Sequence, residues 1–179
     1  MNPDEAWLAR IYGPDPNWNG SPEDRRLAVE ERCRKWLEEI VWPDGAECPN
    51  HHFTVKETKL TPTVTGWLCL QCDRKFKVTQ ALKVTIEEAP ERTRTFAPMA
   101  GQHWPLERWF RAIYLLHENP GLSWSELARH VGGGWHAVAK HGRDIQRMRQ
   151  ADPELLELIV AGPNAGAAQL RKRQRRRHR

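Results

Sequence analysis

The sequence predicts an α+β chain built from small modules: an N-terminal helix, a β-rich zinc ribbon, a helical helix-turn-helix domain and a basic tail. Three observations carry that expectation. Two close pairs of metal-capable side chains, Cys48 with His51 and Cys69 with Cys72, are separated by 17 residues. The stretches around the second pair are short, β-branched or aromatic, and partly alternating. From Pro105 onward apolar residues return at helical spacing, with cap residues and a glycine turn marking the ends.

Composition favours small modules, because 179 residues of which 39% are hydrophobic is lean for one large core. No run approaches the roughly 18 apolar residues of a membrane span, and "MNPDEAWLARIYG" has no basic region followed by an apolar stretch. A soluble, cytoplasmic chain without a membrane partner is expected. In that setting four cysteines point to thiolate metal ligands rather than to disulfides. The net charge of +5 is unevenly distributed: −5 over residues 1–50, +3 over 51–104, zero over 105–170 and +7 over the last nine, "RKRQRRRHR". A polyanion would therefore meet the tail or a local patch rather than a globally basic surface.

Residues 1–20, rich in Pro, Asn, Gly and Asp, read as an irregular arm carrying Trp7 and Trp18. Residues 21–86 hold a helix and the ribbon. Ser21 is the expected cap, with Pro22 at the first helical position and Asp24 completing a capping box. The helix should run to about Val41 with Leu27, Cys33, Trp36, Leu37, Ile40 and Val41 on one apolar face, Cys33 serving as a small buried hydrophobe. "FTVKETK", "TVTGWLCL", "RKFKVT" and "LKVTI" between Phe53 and Ile86 read as antiparallel strands. Residues 87–104 lack periodicity and read as a linker. Residues 105–162 form the helical domain, first with Leu106, Trp109, Phe110, Ile113 and Leu116 on one face. Ser123 and Glu126 make a second capping box, Gly132 to Gly134 a turn into the next helix, and Asp152 the cap of a last short one. Residues 163–179 read as a flexible basic tail.

Zinc takes about four N or S ligands in a tetrahedron, and two knuckles facing each other supply them. Cys48, His51, Cys69 and Cys72 have that spacing, with His52 able to replace His51 by a small change of the turn. One structural Zn2+ is expected. A catalytic zinc would keep an open position beside an acid–base carboxylate, whereas four ligands here close the shell.

Two helices joined by a short glycine turn are the signature of a helix-turn-helix, whose second helix enters the DNA major groove. Val138, Ala139, Gly142 and Ile145 should pack inward against Leu127, Ala128 and Val131. His136 and Lys140, four apart, could address one groove, and lysine can donate to guanine N7 and O6. Arg143 and Arg147 are candidates for phosphate contact, as are Ser123 or Ser125 near the start of the preceding helix. Trp135 either wedges against the sugar-phosphate backbone or closes the small core. In the tail Arg171, Lys172, Arg173, Arg175, Arg176 and Arg177 would bind DNA or RNA phosphate with strong salt dependence and little sequence preference.

"WPDGAECPNH", "WLCLQCDRKFKVT" and "PLERWFRAIYLL", in that order, resemble the bacterial insertion-sequence transposases that begin with a transposase zinc ribbon and continue into a DDE-type nuclease. The resemblance covers roughly residues 30–148. His51 stands where that family usually has its second knuckle cysteine. After the helix-turn-helix only residues 149–179 follow, too few for the family's nuclease, so no catalytic aspartate trio is assigned. Asp144, Asp152 and Glu154 read as helix-surface and cap residues. What the resemblance implies is the DNA-binding front half alone, in a bacterial or phage-encoded, nucleoid-associated protein.

The expected function is sequence-specific binding of double-stranded DNA by a transcriptional regulator derived from a transposase DNA-binding region, with no enzymatic activity and no small-molecule substrate. The alternative is a non-catalytic accessory subunit of a mobile element or nucleoprotein complex. There the acidic, Trp-containing N-terminal region would dock a protein such as RNA polymerase.

Overall fold

The computed structural model describes residues 3–12, 21–50, 59–89, 92–101 and 104–177. Helix α2, Pro22–Val41, begins at the expected capping box: Ser21 Oγ accepts from the Asp24 N–H at 3.2 Å, and the Ser21 N–H donates to Asp24 Oδ2 at 3.0 Å. Val29, Cys33, Trp36, Leu37 and Ile40 form its buried face. Leu27 is not part of it, being 58% exposed. At about 100° per residue Leu27 lies roughly 130° around the helix from the centre of that face, and Val29 takes its place.

The irregular arm is corrected in its first half. Pro3–Tyr12 forms a helix, α1, whose Trp7 and Ile11, one turn apart, are buried in the core. A ten-residue helix is marginal alone, so α1 depends on this docking. Arg10 reinforces it through an ion pair to Glu118 at 3.1 Å and a guanidinium stacked over the Tyr114 ring. Trp18 lies outside the described residues.

Three strands, β1 (Leu60–Thr63), β2 (Gly66–Cys69) and β3 (Arg74–Phe76), make an antiparallel sheet in sequence order. The expected strand over 53–58 lies outside the described residues. "RKFKVT" is strand only to Phe76; a single helical turn, α3 (Val78–Ala81), follows, closed by the Leu82 N–H on the Val78 carbonyl. The linker expected over 87–104 is corrected in part. It completes β4 (Val84–Ala89) and supplies β5 (Arg92–Phe96), an antiparallel hairpin packed on the helical body through β4.

Helix α4, Leu106–Glu118, is buried on nearly every side: besides the five expected residues, Ala112, Tyr114 and Leu115 are covered. Glu107, Arg108 and Arg111 lie together on the remaining, half-buried side, so a wide apolar face turns toward the core. Its cap residue Pro105 has no side-chain acceptor to offer. Glu30 of α2 supplies one instead, its two carboxylate oxygens accepting from the N–H groups of Leu106 at 2.9 Å and Glu107 at 2.8 Å. Helices α5 (Trp124–Val131) and α6 (Trp135–Ala151) are joined by Gly132–Gly134, where Gly132 and Gly133 take φ of 73° and 103°. Positive φ at two successive positions explains two of the three glycines, while Gly134 has ordinary extended backbone. Ser123 and Glu126 form the capping box of α5.

The flexible tail is also corrected: Pro153–Arg177 is helical, α7, with a kink at Gly162 (φ 69°). A side chain at Gly162 would fall 2.5 Å from the Arg10 carbonyl, so this kink is where α1 crosses α7. The second half holds its shape by packing rather than by its own sequence. Gly166 lies under the Trp36 ring, Leu170 is buried, and Arg173 and Arg176 pair with Asp152 and Glu154. The buried apolar residues of all these elements form one cluster, so the helices of the two expected modules share a core.

Gly142 in α6 is the tightest approach between α5 and α6, for a Cβ there would overlap the ring of Trp124. Gly142→Ala gains about 1 kcal/mol of helix propensity but forces that ring aside, at roughly 1–3 kcal/mol. A net lowering of stability is expected in urea unfolding, with Trp124→Leu in the same chain relieving it.

Candidate metal centre and nucleic-acid interface

The first knuckle is built by a turn. Pro43, Asp44 and Gly45 reverse the chain after α2, Gly45 at φ 107° with its N–H on the Trp42 carbonyl, and Cys48 follows, fully buried. The second knuckle is the β2–β3 turn, in which Cys69 ends β2 and pairs with Arg74, and Cys72 sits between them. Asp73 adopts φ 53°, which tightens the turn at a residue type that tolerates it.

These two turns bring the sulfurs of Cys48, Cys69 and Cys72 within 4.8 Å of one another, and Cys48 Sγ lies 3.7 Å from Cys72 Sγ. That is far beyond a disulfide bond and close to the edge of a tetrahedron of sulfurs on one metal, about 3.8 Å for bonds of about 2.3 Å. Burial pushes the Cys69 thiol up, but the backbone N–H groups of Cys72 and Gln71, together with the Cys48 and Cys72 side chains, outweigh it and bring the thiol below its usual value. Cys72 moves the other way, raised by burial and by the neighbouring sulfurs against the Arg74 N–H. The Cys69 thiolate is favoured and Cys72 resists ionising beside it, the electrostatics of a site that a cation would complete. Asn50, held by Arg74 at 2.8 Å, places its amide 3.9 Å from Cys72 Sγ. The three cysteines can hold a metal. His51 and His52 lie outside the described residues, so the fourth position stays with the sequence expectation.

Helix α6 divides cleanly. Val138, Ala139, His141, Gly142, Asp144, Ile145 and Met148 are buried, while His136, Lys140, Arg143 and Arg147 form one exposed stripe at spacings of four, three and four. Seventeen residues make the helix about 25 Å long. Trp135 does not close the core: it is 48% exposed, edge-on to the His136 ring at the start of the helix. Asp144 departs from the surface role expected of it, being buried and paired with Arg147 at 3.1 Å. His141 was not singled out by spacing. It is wedged between the rings of Trp104 at 4.3 Å and Trp109 at 4.8 Å, and burial, then Lys140, lowers its pKa against the pull of Asp144.

No protein-family model, curated protein or solved structure matches this chain. The transposase resemblance rests on the quoted motifs alone.

The remaining candidates divide by availability. Ser123 donates its hydroxyl to Glu126 Oε2 at 2.6 Å and accepts from the Glu126 N–H, so its hydroxyl serves the cap, whereas Ser125 is exposed. Arg171, Lys172 and Arg175 are exposed and without an acidic partner among the described residues. Arg173 faces inward, its guanidinium bidentate on Asp152 at 3.1 and 2.5 Å, and Arg176 pairs with Glu154 at 3.0 Å. Arg177 is the last residue of α7. Among the described residues no helix is long and apolar enough to cross a membrane.

Replacing Cys69 by Ser should abolish tight metal binding and lower the thermal midpoint of the whole chain, because the metal-holding turns are tied to the core through α2. Native mass spectrometry and thermal unfolding check this; one metal per chain retained in Cys69→Ser would remove that residue from the ligand set.

Proposed function

We propose that the protein reads a specific duplex DNA sequence through α6 and acts as a transcriptional regulator with a transposase-like DNA-binding region. The observation that carries the reading is the stripe on α6: one imidazole and three cations on a single exposed face of a helix whose opposite face is buried. In a helix-turn-helix docking, α5 crosses the backbone and the first turns of α6 meet base edges. His136 and Lys140 are then the readers, and Arg143 and Arg147 the phosphate contacts, Arg147 having to leave Asp144 or share it. Arg171, Lys172 and Arg175 add sequence-independent attraction.

The metal in this reading is one structural Zn2+ held by Cys48, Cys69, Cys72 and one of His51 and His52. Zinc suits a set of sulfur and imidazole donors and would pin the two turns together without taking part in a reaction. No residue is given a catalytic role. Asp144, Asp152 and Glu154 are each bound to an arginine.

The accessory-subunit reading rests on the net charge of −5 over residues 1–50 and on the tryptophans of the arm. Trp7 is 4% exposed and committed to the core, which favours the DNA reading over protein docking through that residue.

Selection from a random duplex library tests the proposal. The full chain is used with Arg171→Gln, Lys172→Gln and Arg175→Gln, which silences the nonspecific attraction without cutting into α7. A defined motif is expected to emerge, and Lys140→Ala is expected to reduce its preference over scrambled duplex by about 1–3 kcal/mol, roughly 5- to 150-fold. A zinc-loaded protein that enriches nothing would sink the reading.

A further inference from the structure

The three sulfurs are not equally covered. Cys48 and Cys69 are fully buried, whereas Cys72 is partly exposed. It stands in the β2–β3 turn between Cys69 and Arg74, its sulfur 3.7 Å from that of Cys48. A chelator or a competing metal would meet the site at this sulfur first. A closed site loses its metal by giving up one ligand at a time, so the least covered ligand governs how fast the metal leaves.

Residue 74 acts on that sulfur in two ways. Its backbone N–H donates to Cys72 Sγ. Its guanidinium donates through Nη1 to Asn50 Oδ1 at 2.8 Å, and the Asn50 amide Nδ2 lies 3.9 Å from Cys72 Sγ, within the reach of the long hydrogen bonds that sulfur accepts. An asparagine amide has a donating and an accepting end, and a guanidinium only donates. Arg74 therefore engages the oxygen of Asn50 and leaves the amide N–H groups for the sulfur. Asn50 belongs to the turn that carries Cys48, while Arg74 opens β3, so this contact also ties the two cysteine turns together at their exposed edge.

We infer that Asn50 and Arg74 form a latch over Cys72 that slows release of the metal, with Asn50 as the donor to the thiolate and Arg74 as the residue that orients it. The inference rests on the reading of Cys48, Cys69 and Cys72 as ligands of one structural Zn2+. A thiolate bound to zinc keeps lone pairs that accept N–H donors, and a charged acceptor makes such a bond stronger than a neutral one. Hydrogen-bond partners of metal ligands hold the ligand in place, and losing one costs about ten- to a hundredfold in metal affinity.

The test uses the full, zinc-loaded chain and follows the rate at which an excess of a chromogenic chelator takes the metal. Asn50→Ala and Arg74→Ala should each speed release by about tenfold. Arg74→Ala keeps the backbone N–H on Cys72 and leaves the first turn unchanged in sequence. The double variant should release no faster than Asn50→Ala alone, because Arg74 acts through the asparagine. With Co2+ in place of zinc, the thiolate-to-metal charge-transfer band should move to longer wavelength in both single variants, since a sulfur that loses an N–H donor gives up electron density more readily. A merely loosened turn would leave the band where it is. Wild-type release and an unmoved band in an Asn50→Ala chain that binds one metal would overturn the latch and leave the cysteine site standing. Additive effects of the two substitutions would overturn the orienting role of Arg74. A wild-type chain that takes up no metal would end both the latch and the zinc reading.

Discussion

A buried hydrogen bond, Trp36 Nε1 to the Leu158 carbonyl at 3.0 Å, joins the middle of α2 to α7, and the Trp36 ring fills the space left by Gly166 beyond the kink. An indole N–H buried without a partner would be costly, so the ring and the carbonyl fix each other's position. Two neighbours on α2 extend the effect to the rest of the molecule. Glu30 caps α4 from the side, and Glu38 accepts from Trp67 Nε1 of the β2 strand at 3.2 Å while also holding Arg34. One helix thus orients the cysteine-bearing sheet, the central helix and the basic helix at once. Removing Trp36 would loosen contacts that lie more than a hundred residues apart in sequence.

The cysteine cluster gains from this arrangement. Its sheet is only three short strands, too little to stand alone. Trp42 meets Phe76 edge-on at 5.9 Å, and Trp67 is tied to Glu38, so the turns bearing Cys48 and Cys69 are braced on α2 from two directions. The sulfurs are gathered by the surrounding structure, and an ion that joins them has less ordering to impose than in a free-standing zinc module.

What was legible in the sequence was whatever a local rule governs. Both Ser capping boxes, the Cys-x-x-Cys turn, the buried faces of α4 and α6 and the cap at Asp152 follow from spacings of two to four residues, and each is present. Elements that depend on distant partners were not legible. Helix α1 forms because Trp7 and Ile11 find α2, α4 and α7; nothing within its ten residues, two of them acidic, signals that. The β4–β5 hairpin was hidden because Ala89, Pro90 and Glu91 break its alternation. Glycine at 162 and 166 resembled linker composition, yet both positions are places where another element comes too close for a side chain. Leu27 failed for a simpler reason: a single extra apolar residue cannot be placed on a face until its neighbours are.

The helical state of residues 163–177 changes what their charge can do. A disordered basic tail must be ordered on binding, at about 1–2 kcal/mol per residue held, and all its cations are then free to find phosphates. Here that ordering accompanies folding, but Arg173 and Arg176 are committed to Asp152 and Glu154, so fewer charges remain for a polyanion. Arg171, Lys172 and Arg175 are the ones displayed, fixed relative to the body. Asp152 both ends α6 and starts α7, accepting from the Leu155 N–H at 3.0 Å while gripping Arg173. The proposed reading helix and the basic helix therefore meet at one carboxylate. A duplex that engaged both would do so as a rigid unit, with their relative placement selecting how the DNA must lie across the surface.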